Sequence, residues 1–170
     1  MRNLILGVLL LLSTLSFSQN TKPIWFGAVG ISNYNTDAKK SSNTGFGFSM
    51  TMWNVYVEIN SNWSFGSGNY LDFQSSQSYN TGKLSIMTIN GGYSFNALED
   101  KIILTPMIGY SSTTEIWEDP IGATTNFNGP SKSYVNLGGI VQGKVSKVVY
   151  PYVGYGTFDG LKFGVSFKLN

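Results

Sequence analysis

The 170-residue chain contains neither cysteine nor histidine. Without cysteine, no disulfide framework supports an exported fold, and no lipid-bearing cysteine anchors it. Without histidine, the ordinary His-based triads and most zinc sites are excluded together. The only arginine is Arg2; beyond residue 18 there remain ten lysines against nine acids. That near-balance lacks the clustered basic face of a nucleic-acid-binding domain. No amphipathic helical stretch follows residue 18, and no apolar run reaches the ~20 residues of a membrane-spanning helix. Serine, aspartate and glutamate are too scattered to nominate a catalytic set. The expectation is a protein that is not an enzyme and has no cofactor, no metal site and no nucleic-acid partner.

The first 18 residues have their own logic. Met1-Arg2-Asn3 is a short positive start, Leu4 to Leu12 an apolar run, and Ser13 to Ser18 small and polar. This is the pattern of a secretory signal peptide, with cleavage expected between Ser18 and Gln19. Residues 19–170 then make one domain of ordinary length.

What is abundant there is glycine, tyrosine, phenylalanine, serine, threonine and asparagine, with mean hydropathy near zero. This composition favours strands. The clearest strand closes the chain. Leu161, Phe163, Val165, Phe167 and Leu169 share one parity, and Lys162, Gly164, Ser166 and Lys168 the other. Period-2 alternation of this kind gives a strand one apolar face.

Seven further strands precede it. The first spans Ile24 to Tyr34, with Trp25, Gly27, Val29 and Ile31 as its outward set, and the second spans Thr44 to Met52, with Phe46, Phe48, Met50 and Met52 outward. A tight turn at Trp53-Asn54 leads into the third, Val55 to Phe65, where Val55, Val57, Ile59, Trp63 and Phe65 oppose Tyr56, Glu58, Asn60 and Asn62. The fourth is placed at Lys83 to Phe95, the fifth at Ile102 to Thr113, the sixth at Lys132 to Val145 and the seventh at Val148 to Thr157. Polar segments 35–43, 66–82 and 114–131 separate strands one from two, three from four and five from six. The connections after strands two, four and six are short, and so is the seventh. Long and short connections that alternate are expected of an up-and-down membrane barrel, not of a Greek-key sandwich. Aromatics fall in two sets, Trp63, Phe65, Phe46, Tyr110 and Tyr155 near the long loops, and Trp25, Tyr93 and Phe95 near the short turns. Two such girdles are expected at bilayer interfaces.

The fold class expected is therefore all-β, an eight-stranded antiparallel up-and-down transmembrane β-barrel over 19–170. Eight strands leave an interior just wide enough for side chains to fill. Inward Tyr56, Tyr134, Tyr150, Tyr152, Asn60, Asn90, Asn136 and Gln142 would plug it. Glu58 is the one acid well inside a strand, and its parity faces the lumen. A buried carboxylate needs a partner; Lys144 or Lys168, at similar depth from the short turns, is the expected one. Apolar residues within the polar loops, Tyr70, Leu71, Phe73 and Trp117, are the candidate contacts for a surface partner, or else fold back on the rim.

One motif-level feature points to a family. Lys162, Gly164, Phe167 and Leu169 meet the order polar-x-Gly-x-x-apolar-x-apolar. This resembles the C-terminal insertion signal of bacterial outer-membrane barrels, although the family usually ends on an aromatic and this chain ends Phe-Lys-Leu-Asn. With the strand pattern, the chain resembles small Gram-negative barrels of the OmpA-like and outer-membrane-protein-X-like kind. The resemblance implies an outer-membrane location, lipid contact and the barrel assembly machinery as a partner during insertion. It further implies a structural or adhesion-like role at the cell surface, without an appended periplasmic domain. The lipid-modifying enzymes on this fold rely on a histidine that is absent here. A secreted lipocalin-like barrel binding a small apolar ligand is the alternative; it requires the large apolar residues to point inward.

Overall fold

In the computed structural model, residues 24–35, 44–64, 66–69, 71, 77–98, 101–119 and 125–169 are described. The leader lies outside them. The strands are β1 (Trp25–Asn33), β2 (Thr44–Met52), β3 (Val55–Ser61), β4 (Tyr79–Tyr93), β5 (Phe95–Ala97), β6 (Ile102–Asp119), β7 (Thr125–Gly143), β8 (Val149–Gly156) and β9 (Gly160–Lys168). Every ladder between them is antiparallel, in the order β4-β3-β2-β1-β9-β8-β7-β6-β5. β5 continues β4 past a break at Ser94, and both pair with β6, which closes the sheet into eight wall positions. The fold is a closed eight-stranded antiparallel barrel. Its seam is β1 on β9, from Phe26 opposite Lys168 to Asn33 opposite Gly160.

Cross-strand pairing is staggered. From Phe26 the ladders run through Thr51, Tyr56, Gly92, Met107, Gly138, Gly156 and Gly160, and they return to β1 at Asn33. The return is thus about one residue higher per strand. With ~3.3 Å per residue and ~4.8 Å between strands, that stagger tilts the strands by roughly 35°.

The outward face is apolar, as expected from the alternation. Phe46, Phe48, Met50, Val55, Val57, Ile59, Leu104, Ile108, Phe163 and Phe167 are all exposed, Phe48 by 62%, and Val165 is half-buried. In β6 the belt runs from Ile102 to Tyr110, close to the ~9–11 residues with which a tilted strand crosses hydrocarbon. Beyond it the outward positions become Ser85 in β4, Ser112 and Thr114 in β6, and Ser133 and Ser131 in β7. A lipocalin-like interior would need the opposite parity. At the short-turn end Trp25 meets Trp53 edge-on with centroids 5.1 Å apart, and Tyr93 meets Phe95 at 4.8 Å.

Three expectations about boundaries are corrected. β3 ends at Ser61, and Trp63 has left the ladder with φ 57°; Phe65 lies outside the described residues. β4 begins at Tyr79 rather than Lys83. The expected loop 114–131 is mostly strand, because β6 continues to Asp119 and β7 starts at Thr125. Polar outward residues are what a strand shows above an apolar belt, so polarity there marked the end of the belt and not the end of the strand.

The turn at Trp53-Asn54 forms as expected, with both residues at positive φ, 49° and 72°. Asparagine tolerates that region; for tryptophan it is costly. Asn54 also fastens the short-turn end. Its side-chain oxygen accepts from the Ile24 N–H at 2.6 Å, and its carbonyl from the Ser94 N–H at 2.8 Å.

Candidate functional site

Two places concentrate chemistry: the lumen, and a hairpin that rises beyond the apolar belt. The lumen is filled in layers. Nearest the short turns, Ile24, Phe26, Ile103 and Tyr150 pack together, with Phe26 and Tyr150 edge-to-face at 4.8 Å. Ala28, Tyr56, Met107, Ile140 and Tyr152 form the middle layer, and Tyr34, Leu84, Ile86 and Phe158 the layer toward the long loops. Buried polar pairs lie between them, Gln142 donating to Ser166 at 2.5 Å and Ser94 bonded to Thr105 at 2.9 Å.

Small residues in facing strands make room for this filling. The Tyr152 ring lies over Gly30 and Gly164, which face each other in the seam; a Cβ at Gly30 would sit 1.8 Å from its hydroxyl. Asn60 lies likewise over Gly47, and Asn90 over Gly109. Each glycine is thus a recess that a side chain from another strand fills.

Charge is gathered in one cluster. Lys162 Nζ reaches Glu58 Oε2 at 2.5 Å and also pairs with Asp159, all three residues fully buried. Asn90 donates to both carboxylates at 2.7 Å, and Asn136 donates to Asp159 and to the Asn90 side-chain oxygen at 2.8 Å. Glu58, Asn90, Gly109 and Asn136 are successive partners across three ladders, so the network follows one cross-strand row. The Asn136 side-chain oxygen in turn accepts the Phe158 N–H at 2.9 Å and fixes the β8–β9 turn. Two carboxylates share one ammonium, with amides donating to Glu58 Oε2 and Asp159 Oδ2, while Asp159 Oδ1 is buried without a hydrogen bond. This is the pairing that makes buried charge tolerable.

The expected partner of Glu58 is corrected here. Lys144 sits exposed in the β7–β8 turn and Lys168 half-buried at the end of β9. The lysine that pairs is Lys162, whose parity within the last strand already pointed inward. Asp159, expected only as a turn residue, is the second carboxylate. Of the expected plug, Tyr56, Tyr150, Tyr152, Asn60, Asn90, Asn136 and Gln142 are buried. Tyr134 stands at the mouth, 40% exposed and stacked on Phe158 at 4.9 Å. Gly164 and Phe167 lie with Lys162 along β9 at the seam, Leu169 follows its end, and the Phe167 and Leu169 side chains are exposed.

The hairpin is built from the far ends of β4, β6 and β7. The ladder register shifts between Asn80 and Lys83 and between Thr114 and Ile116, at a common level since Lys83 pairs with Ile116. β-Bulges, which produce such shifts, are common at barrel rims. Its inner face buries Ile116, Phe127 and Thr81. The segment after β3 crosses from β3 to the free edge of β7. There the Ser67 N–H donates to the Asn126 carbonyl at 2.6 Å, and Asn128 N–H to the Gly68 carbonyl at 2.7 Å. β3 and β7 lie three positions apart around the barrel, so this segment passes over the mouth. Asn62 covers the β4 edge: its amide donates to the Leu84 carbonyl at 2.7 Å and accepts from the Ile86 N–H at 2.9 Å. Tyr79 donates to Glu118 at 3.0 Å, and this bond to the carboxylate raises the phenol above its ordinary pKa. Trp117, expected in a loop, is in β6; its ring lies against Gly129 and its N–H donates to Glu115 at 3.0 Å. Leu71 is 85% exposed. Tyr70 and Phe73 lie outside the described residues.

The crystal structure of Ail, the attachment invasion locus protein of Yersinia pestis, superposes on this chain with a TM-score of 0.53. The two share 16% identity, over 87% of this chain and 96% of that one. The fold is that of a small eight-stranded outer-membrane β-barrel. A structure of Ail in complex with the heparin analogue sucrose octasulfate gives a TM-score of 0.45 at 12% identity, over 85% of this chain and 91% of that one. No protein-family model matches this outer-membrane-type barrel, and no curated protein matches its sequence.

Proposed function

We propose that the protein is a structural and surface-interaction barrel of the bacterial outer membrane, adhesion-like through its long-loop end. The observation that carries this reading is the division of the wall. A belt of about nine residues suits hydrocarbon, and above it stands a polar-faced sheet of β4, β6 and β7. The layered lumen and its buried ion-pair network fit a support, not a wide diffusion pore. In this reading the leader is cleaved on export, the β9 pattern is read by the assembly machinery, and no chemical step is catalysed. The attachment role named for Ail agrees with an adhesive hairpin.

Ser131→Cys tests orientation, since the chain has no other cysteine. A membrane-impermeant maleimide should label it on intact cells, while Ser146→Cys in the β7–β8 turn should label only after lysis. The reverse pattern would overturn the orientation, and a soluble secreted product would overturn the membrane. For adhesion, cells displaying the barrel should bind matrix-coated surfaces better than cells displaying a variant with 115–128 replaced by a short turn. Equal binding would leave the structural role alone.

A further inference from the structure

The short-turn end is divided into two halves of different chemistry. Over β1 to β5 it presents aromatic rings: Trp25, Trp53, Tyr93 and Phe95. Over β6 to β9 it presents lysines: Lys101 before β6, Lys144 and Lys147 in the β7–β8 turn, and Lys168 at the end of β9. Lys101, Lys144 and Lys147 are exposed, and among the described residues none of the four is in an ion pair.

Backbone bonds hold these turns side by side. The Lys144 N–H donates to the Lys101 carbonyl at 2.8 Å, and the Lys168 N–H to the Val148 carbonyl at 2.8 Å. Ser146 Oγ accepts from the Val148 and Val149 N–H groups at 3.2 and 2.9 Å, which fixes the β7–β8 turn. Glu99 and Asp100 adjoin in sequence and lie outside the described residues; with them counted, lysines still outnumber acids four to two. Apolar side chains are exposed among the lysines, Leu98 by 68%, Val145 by 74% and Val148 by 50%.

That mixture selects the partner. A soluble anionic polymer would match the lysines but leave three apolar side chains in water. A leaflet matches both, since apolar side chains enter the acyl boundary while ammonium groups meet phosphates. Clustered lysines beside a membrane segment attract anionic lipid. We propose that Lys101, Lys144 and Lys147, completed by Lys168, form a binding site for anionic phospholipid head groups in the leaflet next to the short turns. The site rests on the membrane reading above and goes beyond it by naming a lipid class and one half of the rim.

The test uses the full mature chain refolded into bicelles of phosphatidylcholine alone or of equal parts phosphatidylcholine and phosphatidylglycerol. Native mass spectrometry then counts the lipids retained. Phosphatidylglycerol should be retained over phosphatidylcholine on the order of tenfold, less so as salt rises. Lys101→Gln/Lys144→Gln/Lys147→Gln should abolish the preference, while Lys83→Gln/Lys132→Gln, at the opposite end, should keep it. If the triple variant does not refold, each single substitution should remove part of the preference. Equal retention by the unmodified chain, or a preference unchanged by these variants, overturns the site and leaves the membrane barrel standing. Tighter binding of a soluble anionic glycan than of phosphatidylglycerol also overturns it. A chain that enters neither bicelle overturns both readings.

Discussion

Lys162 stands across the lumen from Glu58, although the ladders lead from Glu58 through Ser49 and Ala28 to Ser166. The tilt of the strands reconciles the two. Walking three strands along the hydrogen bonds descends by about three residues, so the level of Glu58 meets β9 near residue 163. Only even positions of β9 face inward there. Gly164 has no side chain, which leaves Lys162.

Removing that lysine should cost far more than removing the whole group. Lys162→Met leaves two carboxylates buried without a cation and should destabilise the barrel by about 3–5 kcal/mol. Glu58→Gln/Asp159→Asn/Lys162→Met should lose clearly less. Urea unfolding in lipid vesicles measures both; a triple variant as weak as the single one would contradict the charge argument.

The glycine recesses predict a specific rescue. Gly47→Ala would place a Cβ 1.6 Å from the Asn60 carbonyl oxygen, whereas the nearest backbone atom is 3.1 Å away. Overpacking of this kind costs about 1–3 kcal/mol. Asn60→Ala in the same chain should recover part of the loss, a non-additivity that a double-mutant cycle reads directly.

The outward belt has a depth profile that lysine can probe. Ile108→Lys should cost roughly 2–4 kcal/mol if it lies near the bilayer midplane. Ser112→Lys, two outward positions further along the same strand, should cost little. Equal costs would mean that the apolar belt is not a lipid boundary.

Asn62 offers a local test at the hairpin base. Its side chain substitutes for a neighbouring strand at the β4 edge, so Asn62→Ala should expose the Ile86 amide. The loss of two such bonds should be about 1–3 kcal/mol. Hydrogen exchange at Ile86 should accelerate, while exchange at Asn90 stays slow.

Most of the wall was legible from the sequence because a strand with lipid on one side alternates at every step. Phe46, Phe48 and Met50 announce their face without reference to anything distant. The partner of Glu58 was not legible, because depth counted from the nearest turn treats strands as upright, and the tilt enters only when the sheet closes. Lys162 was also claimed by the insertion pattern, which hid its second role. The hairpin was missed for a related reason: Thr114, Glu118 and Ser131 look like loop when judged by hydropathy, and long-range pairing alone makes them strand.

The seam has a consequence for the order of events as the barrel forms. With β4 and its continuation β5 counted as one wall strand, every other ladder joins strands adjacent along the chain, whereas Phe26 and Lys168 must meet from about 140 residues apart. Closing a flexible loop of that length carries an entropic penalty of roughly 4 kcal/mol beyond a constant, and partial closure leaves two open edges in hydrocarbon. The β1–β9 zipper should therefore be the final, rate-limiting contact. An assembly factor that holds β9 beside a substitute strand until β1 arrives would speed maturation without adding any stability to the finished barrel.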